Sequence, residues 1–208
     1  MKFKHVIWDF DGTLFDSYPI VVSAFYETLV KFGIVEDMDE IYSFMKIALS
    51  HTNEYYKAKY NLDDSFFEQY QNLRTIYDRE KTKPFNGAVA LCKAIYKADG
   101  KNYLYTHRDS TAVDSLKKFD MSKYFTEFVT SQNRFSPKPS PDAILYLLKK
   151  YNFSRDEAIM IGDRDIDILS GQKAGISTCY VSDERGIYDH ATYNANNFAE
   201  LFAILGVQ

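Results

Sequence analysis

Ala158-Ile159-Met160-Ile161-Gly162-Asp163, then a helix running to Ala174, then Ile176-Ser177-Thr178-Cys179-Tyr180-Val181 is the stretch that decides the architecture of this chain. Its first segment is an apolar run of strand length that ends on an acid, and its last is a second strand. Two strands joined through a helix of this length lie parallel in one sheet, because the crossover packs back onto the sheet with right-handed connectivity.

The same alternation extends outward. His5-Val6-Ile7-Trp8-Asp9 is a short apolar strand ending on an acid, followed by a turn at Gly12. Lys101-Asn102-Tyr103-Leu104-Tyr105-Thr106 is another buried strand. Asn86 is placed to cap a helix through Lys97, a further helix spans about Asp109 to Phe119, and a short strand lies near Phe128-Val129-Thr130. Ser140 is placed to cap the next helix, with Pro141 at its first position. This pattern predicts an α/β fold, a Rossmann-like, mostly parallel sheet with helices on both faces. Asp9, Thr106 and Asp163 each end a strand, so three distant stretches point polar groups at one sheet edge, where such sheets bind ligands.

Residues 16–82 read differently. Ser17 and Pro19 open a helix whose apolar positions, Val21, Val22, Phe25, Leu29 and Val30, run until Gly33. Helical periodicity then persists to about Lys81, with Ile41, Phe44, Met45 and Leu49 on one face and Phe66, Phe67, Tyr70, Leu73 and Tyr77 on another. The expected organisation is a core of residues 1–15 and 83–208 with a small helical domain, 16–82, inserted into it.

Bulk properties narrow the function classes. A chain of 208 residues with 46% hydrophobic and 26% charged residues has ordinary globular composition, so it can bury a sizeable core. A net charge of −4 argues against a general nucleic-acid binder, which needs a basic face to displace phosphate counterions. Small anionic substrates remain compatible with a local cationic site. Cys92 and Cys179 sit among apolar neighbours without metal-type spacing and read as buried thiols. The N-terminus loses its apolar character too soon for a signal peptide, and no stretch is long enough to span a membrane, so a cytoplasmic location is the expectation.

The polar residues at the strand ends carry chemistry. Asp9-Phe10-Asp11-Gly12-Thr13 sets two acids two positions apart on a turn that can aim them differently. Lys138, within Ser136-Pro137-Lys138-Pro139-Ser140-Pro141, lies between prolines that restrict the backbone. Gly162-Asp163-Arg164-Asp165-Ile166-Asp167 repeats the arrangement of an apolar strand followed by acids. Together with Thr106, these segments resemble, in order, the four signatures of the haloacid dehalogenase superfamily, and the resemblance covers about residues 4 to 181.

The resemblance implies a Mg2+-dependent phosphatase acting on a small phosphorylated metabolite, phosphoglycolate-like or a sugar phosphate, through an aspartyl-phosphate. Asp9 would be the covalent nucleophile and Asp11 the general acid and base, with the backbone carbonyl of Asp11 joining Asp9 and Asp163 at the metal. Thr106 would hold a phosphoryl oxygen, Lys138 would neutralise the phosphoryl group and Asp9, and Asp167 would order water bound to the metal. His107 and Arg108 are candidate phosphate contacts that read equally well as solvated residues; Asp165 reads as solvated.

The inserted helices resemble the alpha-helical cap of the phosphoglycolate phosphatase and beta-phosphoglucomutase branch, with Lys46 and Arg74 as candidate substrate contacts and hinges near Asp16-Ser17 and Lys83-Pro84. A sugar-phosphate mutase shares the nucleophile and metal, so the core residues do not separate it from a hydrolase. A catalytically silent phospho-ligand-binding protein is the alternative from another class, against which intact Asp9, Asp11, Lys138 and Asp163 argue. One geometric condition governs the whole reading: Asp9 and Asp163 have to come close enough to share an ion.

Overall fold

The computed structural model describes residues 1–182 and 188–207. The chain divides into two compact units, Met1–Phe15 with Pro84–Gln208 and Asp16–Lys83.

The first unit is built on β1 (His5–Trp8), β4 (Lys101–Tyr105), β5 (Phe125–Val129), β6 (Ala158–Gly162), β7 (Ser177–Val181) and β8 (Tyr193–Ala195). These strands form one sheet in the order β5-β4-β1-β6-β7-β8, and every pairing in it is parallel. The first strand in sequence therefore lies centrally, with Trp8 opposite Leu104 on one side and Ile161 on the other. Chain order reverses at β1, which is where an open parallel sheet leaves a crevice beyond its carboxyl ends.

The near-continuous apolar character of these strands follows from their burial on both faces. Alternate side chains go to opposite layers. Val6 and Trp8 pack with Leu104, Ile159 and Ile161 against residues of α5 (Ala88–Lys97), α6 (Thr111–Lys118) and α9 (Phe198–Leu205). Ile7 packs with Tyr103, Tyr105 and Met160 against α7 (Asp142–Tyr151) and Ala174 at the end of α8 (Asp165–Ala174). Each such aliphatic side chain contributes about 1.5–3 kcal/mol by leaving water. Cys92 and Cys179 are free, buried thiols, and burial pushes the thiol of Cys179 up to about 12.

One polar side chain interrupts the first layer. Asn102 is fully buried in β4; its Oδ1 accepts from Trp8 Nε1 at 2.9 Å, and its Nδ2 donates to the carbonyls of Cys92 and Tyr124, each at 3.0 Å. Asn102→Ala strands a buried indole N–H and removes the donor from two carbonyls. The expected cost is about 2–4 kcal/mol of unfolding free energy, measurable by urea titration, and a loss under about 1 kcal/mol would contradict this account.

Several local expectations are corrected. Asn86 does not cap α5: Gly87 occupies the cap position at φ 92°, with no side-chain capping bond. A Cβ at Gly87 would lie 2.7 Å from Cβ of Phe198, so both the left-handed backbone and the approach of α9 call for glycine there. Pro141 stands at the cap position of α7 rather than inside it, while the Ser140 hydroxyl accepts from Asp142 N at 3.3 Å. Ser17 precedes α1 (Tyr18–Lys31) without a side-chain capping bond. Strand β8 and helix α9 were not anticipated. β8 is three residues long and carries no apolar run, whereas α9 is capped by Asn197, whose side chain accepts from Glu200 N.

The second unit contains α1, α2 (Met38–Ile47), α3 (Leu49–Tyr60) and α4 (Asp64–Glu80). Its centre is Phe25, whose ring meets Tyr56, Phe66 and Tyr70 edge-on at 5.2, 5.4 and 5.0 Å. Asp37 and Asp63 cap α2 and α4 through side-chain bonds to Asp39 N and Phe66 N. The sequence reading foresaw neither of the two-residue strands β2 (Phe15–Asp16) and β3 (Lys83–Pro84), which pair with each other. Strands that short carry no periodicity. Among the described residues, no helix is long and apolar enough to cross a membrane.

Candidate active site

The site begins where β1 ends. Asp9 N donates to Ile161 O at 2.9 Å, extending the parallel ladder one residue past the strand. The chain then turns back: Gly12 adopts φ 72° and its N–H donates to Phe15 O at 2.9 Å, while Leu14 and Phe15 both donate to Phe10 O. This turn separates the two acids. Asp9 is directed inward and is 2% exposed, whereas the Asp11 side chain keeps 27% of its surface open.

Lys138 reaches Asp9 from a segment 129 positions away. Its ammonium donates to Asp9 Oδ1 at 2.5 Å, Asp167 Oδ1 at 2.6 Å and the carbonyl of Tyr105 at 3.0 Å. Three N–H bonds thus meet three acceptors, the full donor capacity of the group. The Lys138 and Asp167 side chains have no exposed surface, and that of Asp9 has 3%. Burial alone would depress the lysine, but Asp167 and Asp9 together hold it above its ordinary range. Burial pushes Asp9 up to about 6; Lys138 and Arg164 oppose this, and Asp167 adds to it.

The neighbouring strands complete the edge. Thr106 N donates to Val129 O at 3.0 Å, and the Thr106 hydroxyl accepts from Arg108 N at 3.1 Å, closing a tight turn after β4. Asp163 follows β6, is 6% exposed, and accepts from the Thr13 hydroxyl at 3.3 Å. Gly162 is demanded by contact: a Cβ there would fall 2.3 Å from Cβ of Asp167, so only glycine lets α8 bring that carboxylate under the strand end. Asp167 Oδ2 also accepts from Arg164 N at 3.1 Å.

The structure brings Asp9, Thr106, Lys138, Asp163 and Asp167 to the carboxyl edge of β1, β4 and β6. Carboxylate oxygens of Asp9, Asp163 and Asp167 all lie within 4.8 Å of one another. Asp9 Oδ2 is buried without a hydrogen bond, an orphaned charged oxygen that a cation would satisfy. Three carboxylates outnumber the cations near them, Lys138 and Arg164, which leaves net negative charge for a divalent ion to offset. The residues present therefore fit a hard, oxygen-seeking divalent cation.

The remaining candidates turn to protein partners. His107 is exposed overall, but its Nε2 accepts from Lys138 N at 2.9 Å, so this ring steadies the lysine segment; partial desolvation of the ring, aided by the charges of Lys138 and Arg164, lowers its basicity and keeps that nitrogen able to accept. Arg108 binds Asp11 through a fork, Nε to Oδ1 and Oδ2 at 2.9 and 2.8 Å and Nη2 to Oδ1 at 2.7 Å. Asp165 is exposed. Within the helical unit, Arg74 Nε pairs with Asp78 at 3.7 Å and Lys46 Nζ lies 5.4 Å from the Tyr42 ring. The sequence reading missed the acceptor role of the Tyr105 carbonyl and the Thr13 bond to Asp163. A backbone acceptor leaves no trace in residue type, and the Thr13 bond spans 150 positions, beyond any local pattern.

Known proteins resemble this chain over most of its length. A family model described as haloacid dehalogenase-like hydrolase matches residues 6–181. A protein of Listeria monocytogenes serotype 4a named pyrophosphatase PpaX is 28% identical over 185 residues, covering 87% of this chain and 84% of its own. The crystal structure of a hydrolase from Streptococcus pneumoniae superposes with TM-score 0.72 at 32% identity, covering 99% of this chain and 100% of that one. A predicted phosphoglycolate phosphatase from Haemophilus somnus shares the fold with TM-score 0.83 at 17% identity, covering 98% of each chain.

Proposed function

Because the chain belongs to the haloacid dehalogenase-like hydrolase family, we propose that it hydrolyses a small phosphate compound through a phosphoryl group carried on Asp9, with Mg2+ as cofactor. The observation that carries this reading is the buried carboxylate shared with an ammonium, Asp9 Oδ1 to Lys138 Nζ, beside a second acid, Asp163, within 4.8 Å.

In this reading an Asp9 oxygen attacks phosphorus in line, the bond from phosphorus to the leaving oxygen breaks, and Asp11 gives that oxygen its proton. Asp11 then takes a proton from water, which attacks the phosphorus on Asp9, releases phosphate and frees the carboxylate. Lys138 stabilises charge gathering on the phosphoryl oxygens, and Thr106 binds one of them. Asp9, Asp163 and the Asp11 backbone carbonyl would hold the magnesium, which supplies Lewis-acid stabilisation of phosphoryl charge. Both Asp167 oxygens already accept from Lys138 and Arg164, which supports a role in fixing the lysine and ordering water bound to the metal rather than in direct ligation. The Asp16–Lys83 unit is taken as the cap domain.

The relative named a pyrophosphatase puts inorganic pyrophosphate first among substrates to test, ahead of phosphoglycolate and sugar phosphates. Phosphate release from this panel is expected with Mg2+, lost on chelation with EDTA and restored by added Mg2+. Free phosphate also separates hydrolysis from mutase chemistry, which returns the group to the sugar. No release from any compound at saturating Mg2+ would overturn the proposal.

A further inference from the structure

The fork between Arg108 and Asp11 is the feature that the proposed chemistry leaves unused. The Arg108 side chain is 6% exposed and its guanidinium carbon lies 5.1 Å from the centre of the Phe10 ring, which is itself stacked on Phe15 at 4.4 Å. Its backbone is fixed at both ends, with N–H to Thr106 Oγ1 at 3.1 Å and the carbonyl accepting from Ser131 N at 2.9 Å. Asp11, by contrast, keeps more than a quarter of its side-chain surface open. Of the two partners, the arginine is the more buried and the carboxylate the more open to solvent.

Both Asp11 oxygens accept from that guanidinium. A carboxylate engaged in this way is poorly placed to serve a leaving oxygen until the fork opens. The scissile phosphoryl group belongs beside Asp9 and already has a cation there, Lys138. Asp11 acts at the leaving oxygen, so the guanidinium that touches it stands on the leaving-group side. In that reading, a charged leaving group would meet this guanidinium. Guanidinium forks bind phosphoryl and carboxylate groups in the same two-point geometry that here binds Asp11.

We propose that Arg108 is a specificity residue for a second anionic group next to the scissile phosphoryl, and that this group takes the fork from Asp11, whose released carboxylate takes up a proton from solvent and passes it to the leaving oxygen. The inference rests on the proposed phosphatase reading and adds a substrate class to it: diphosphates and phosphorylated acids, rather than esters of neutral alcohols. A neutral leaving group has nothing to exchange with Asp11, so it leaves the acid engaged.

The test compares wild type with Arg108→Gln and Arg108→Lys. Steady-state kcat/KM is measured for pyrophosphate, phosphoglycolate and p-nitrophenyl phosphate at fixed Mg2+. The ratio of pyrophosphate or phosphoglycolate over p-nitrophenyl phosphate is expected to fall at least about tenfold in Arg108→Gln, chiefly through KM. Arg108→Lys, which keeps the charge without the fork, is expected to recover only part of it and covers the case in which the Gln variant does not fold. Whichever of the two substrates loses more identifies the second group as phosphoryl or carboxylate. Loss on all three in equal measure would overturn the proposal and leave Arg108 as a support for Asp11 alone.

A second arm reads binding without turnover. Calorimetry on Asp9→Asn with Mg2+ is expected to show pyrophosphate bound at least about tenfold more tightly than orthophosphate, and Arg108→Gln in the same background is expected to close that gap. An undiminished gap would also overturn the proposal. If wild type released no phosphate from anything, the catalytic reading would fail while this arm still judged Arg108.

Discussion

Asp9→Asn is expected to lower phosphate release by on the order of a thousandfold or more, because the amide removes the one nucleophile to which the covalent step is assigned. The fold is expected to survive. The substitution conserves volume, the amide oxygen can still accept from Lys138, and one of two carboxylates crowded on a single ammonium is discharged. Burial already works against the ionised Asp9, pushing it up to about 6. Thermal unfolding in magnesium-free buffer should therefore show the variant no less stable than wild type, a pattern of stability gained where function is lost. Phosphate release at the wild-type rate would remove Asp9 from the mechanism; loss of both fold and activity would make its role structural.

Lys138→Met is the second large effect, and it should damage activity and stability together. Methionine keeps the length of the side chain but leaves Asp9 and Asp167, at 3% and no side-chain exposure, without their shared cation. Breaking a buried pair in this way costs about 3–5 kcal/mol, much of it the price of charge left unpaired out of water. Turnover is expected to fall at least a hundredfold, on the order found when one preorganised stabiliser of transition-state charge is removed. Added Mg2+ should raise the melting temperature of the variant more than that of wild type, since a cation bound to the native state then offsets a larger surplus of negative charge. Lys138→Arg is expected to rescue poorly, because three acceptors at 2.5, 2.6 and 3.0 Å surround a compact ammonium rather than a planar fork. A Met variant with wild-type stability and rate would refute the bridging role.

Much of the fold was legible because its signals are local. Apolar runs of strand length at His5–Trp8 and Ala158–Gly162, each stopping at an acid, mark where a buried strand ends and the site begins. What failed was also local in origin. β8 lacks an apolar run, β2 and β3 have two residues each, and Asn86 looked like a cap although the backbone at Gly87 needed a positive φ. Asn102 shows the limit from another direction: the run 101–106 places it in a strand, but its partners, the Trp8 indole and the carbonyls of Cys92 and Tyr124, lie on other elements that no local pattern names.

The sequence by itself determined the alternation of strands and helices, the parallel sheet that follows from it, and the strand ends on which Asp9, Thr106 and Asp163 stand. Only the tertiary structure decided which atoms meet: Lys138 bridging Asp9 and Asp167, Asp163 within ion-sharing distance of Asp9, and Arg108 on Asp11 across 97 positions. Periodicity repeats every two or 3.6 residues and so records which way a side chain faces within its own element. The separation between two side chains on different loops depends instead on strand order, register and helix packing. Those are properties of the assembled sheet, and no window of sequence carries them.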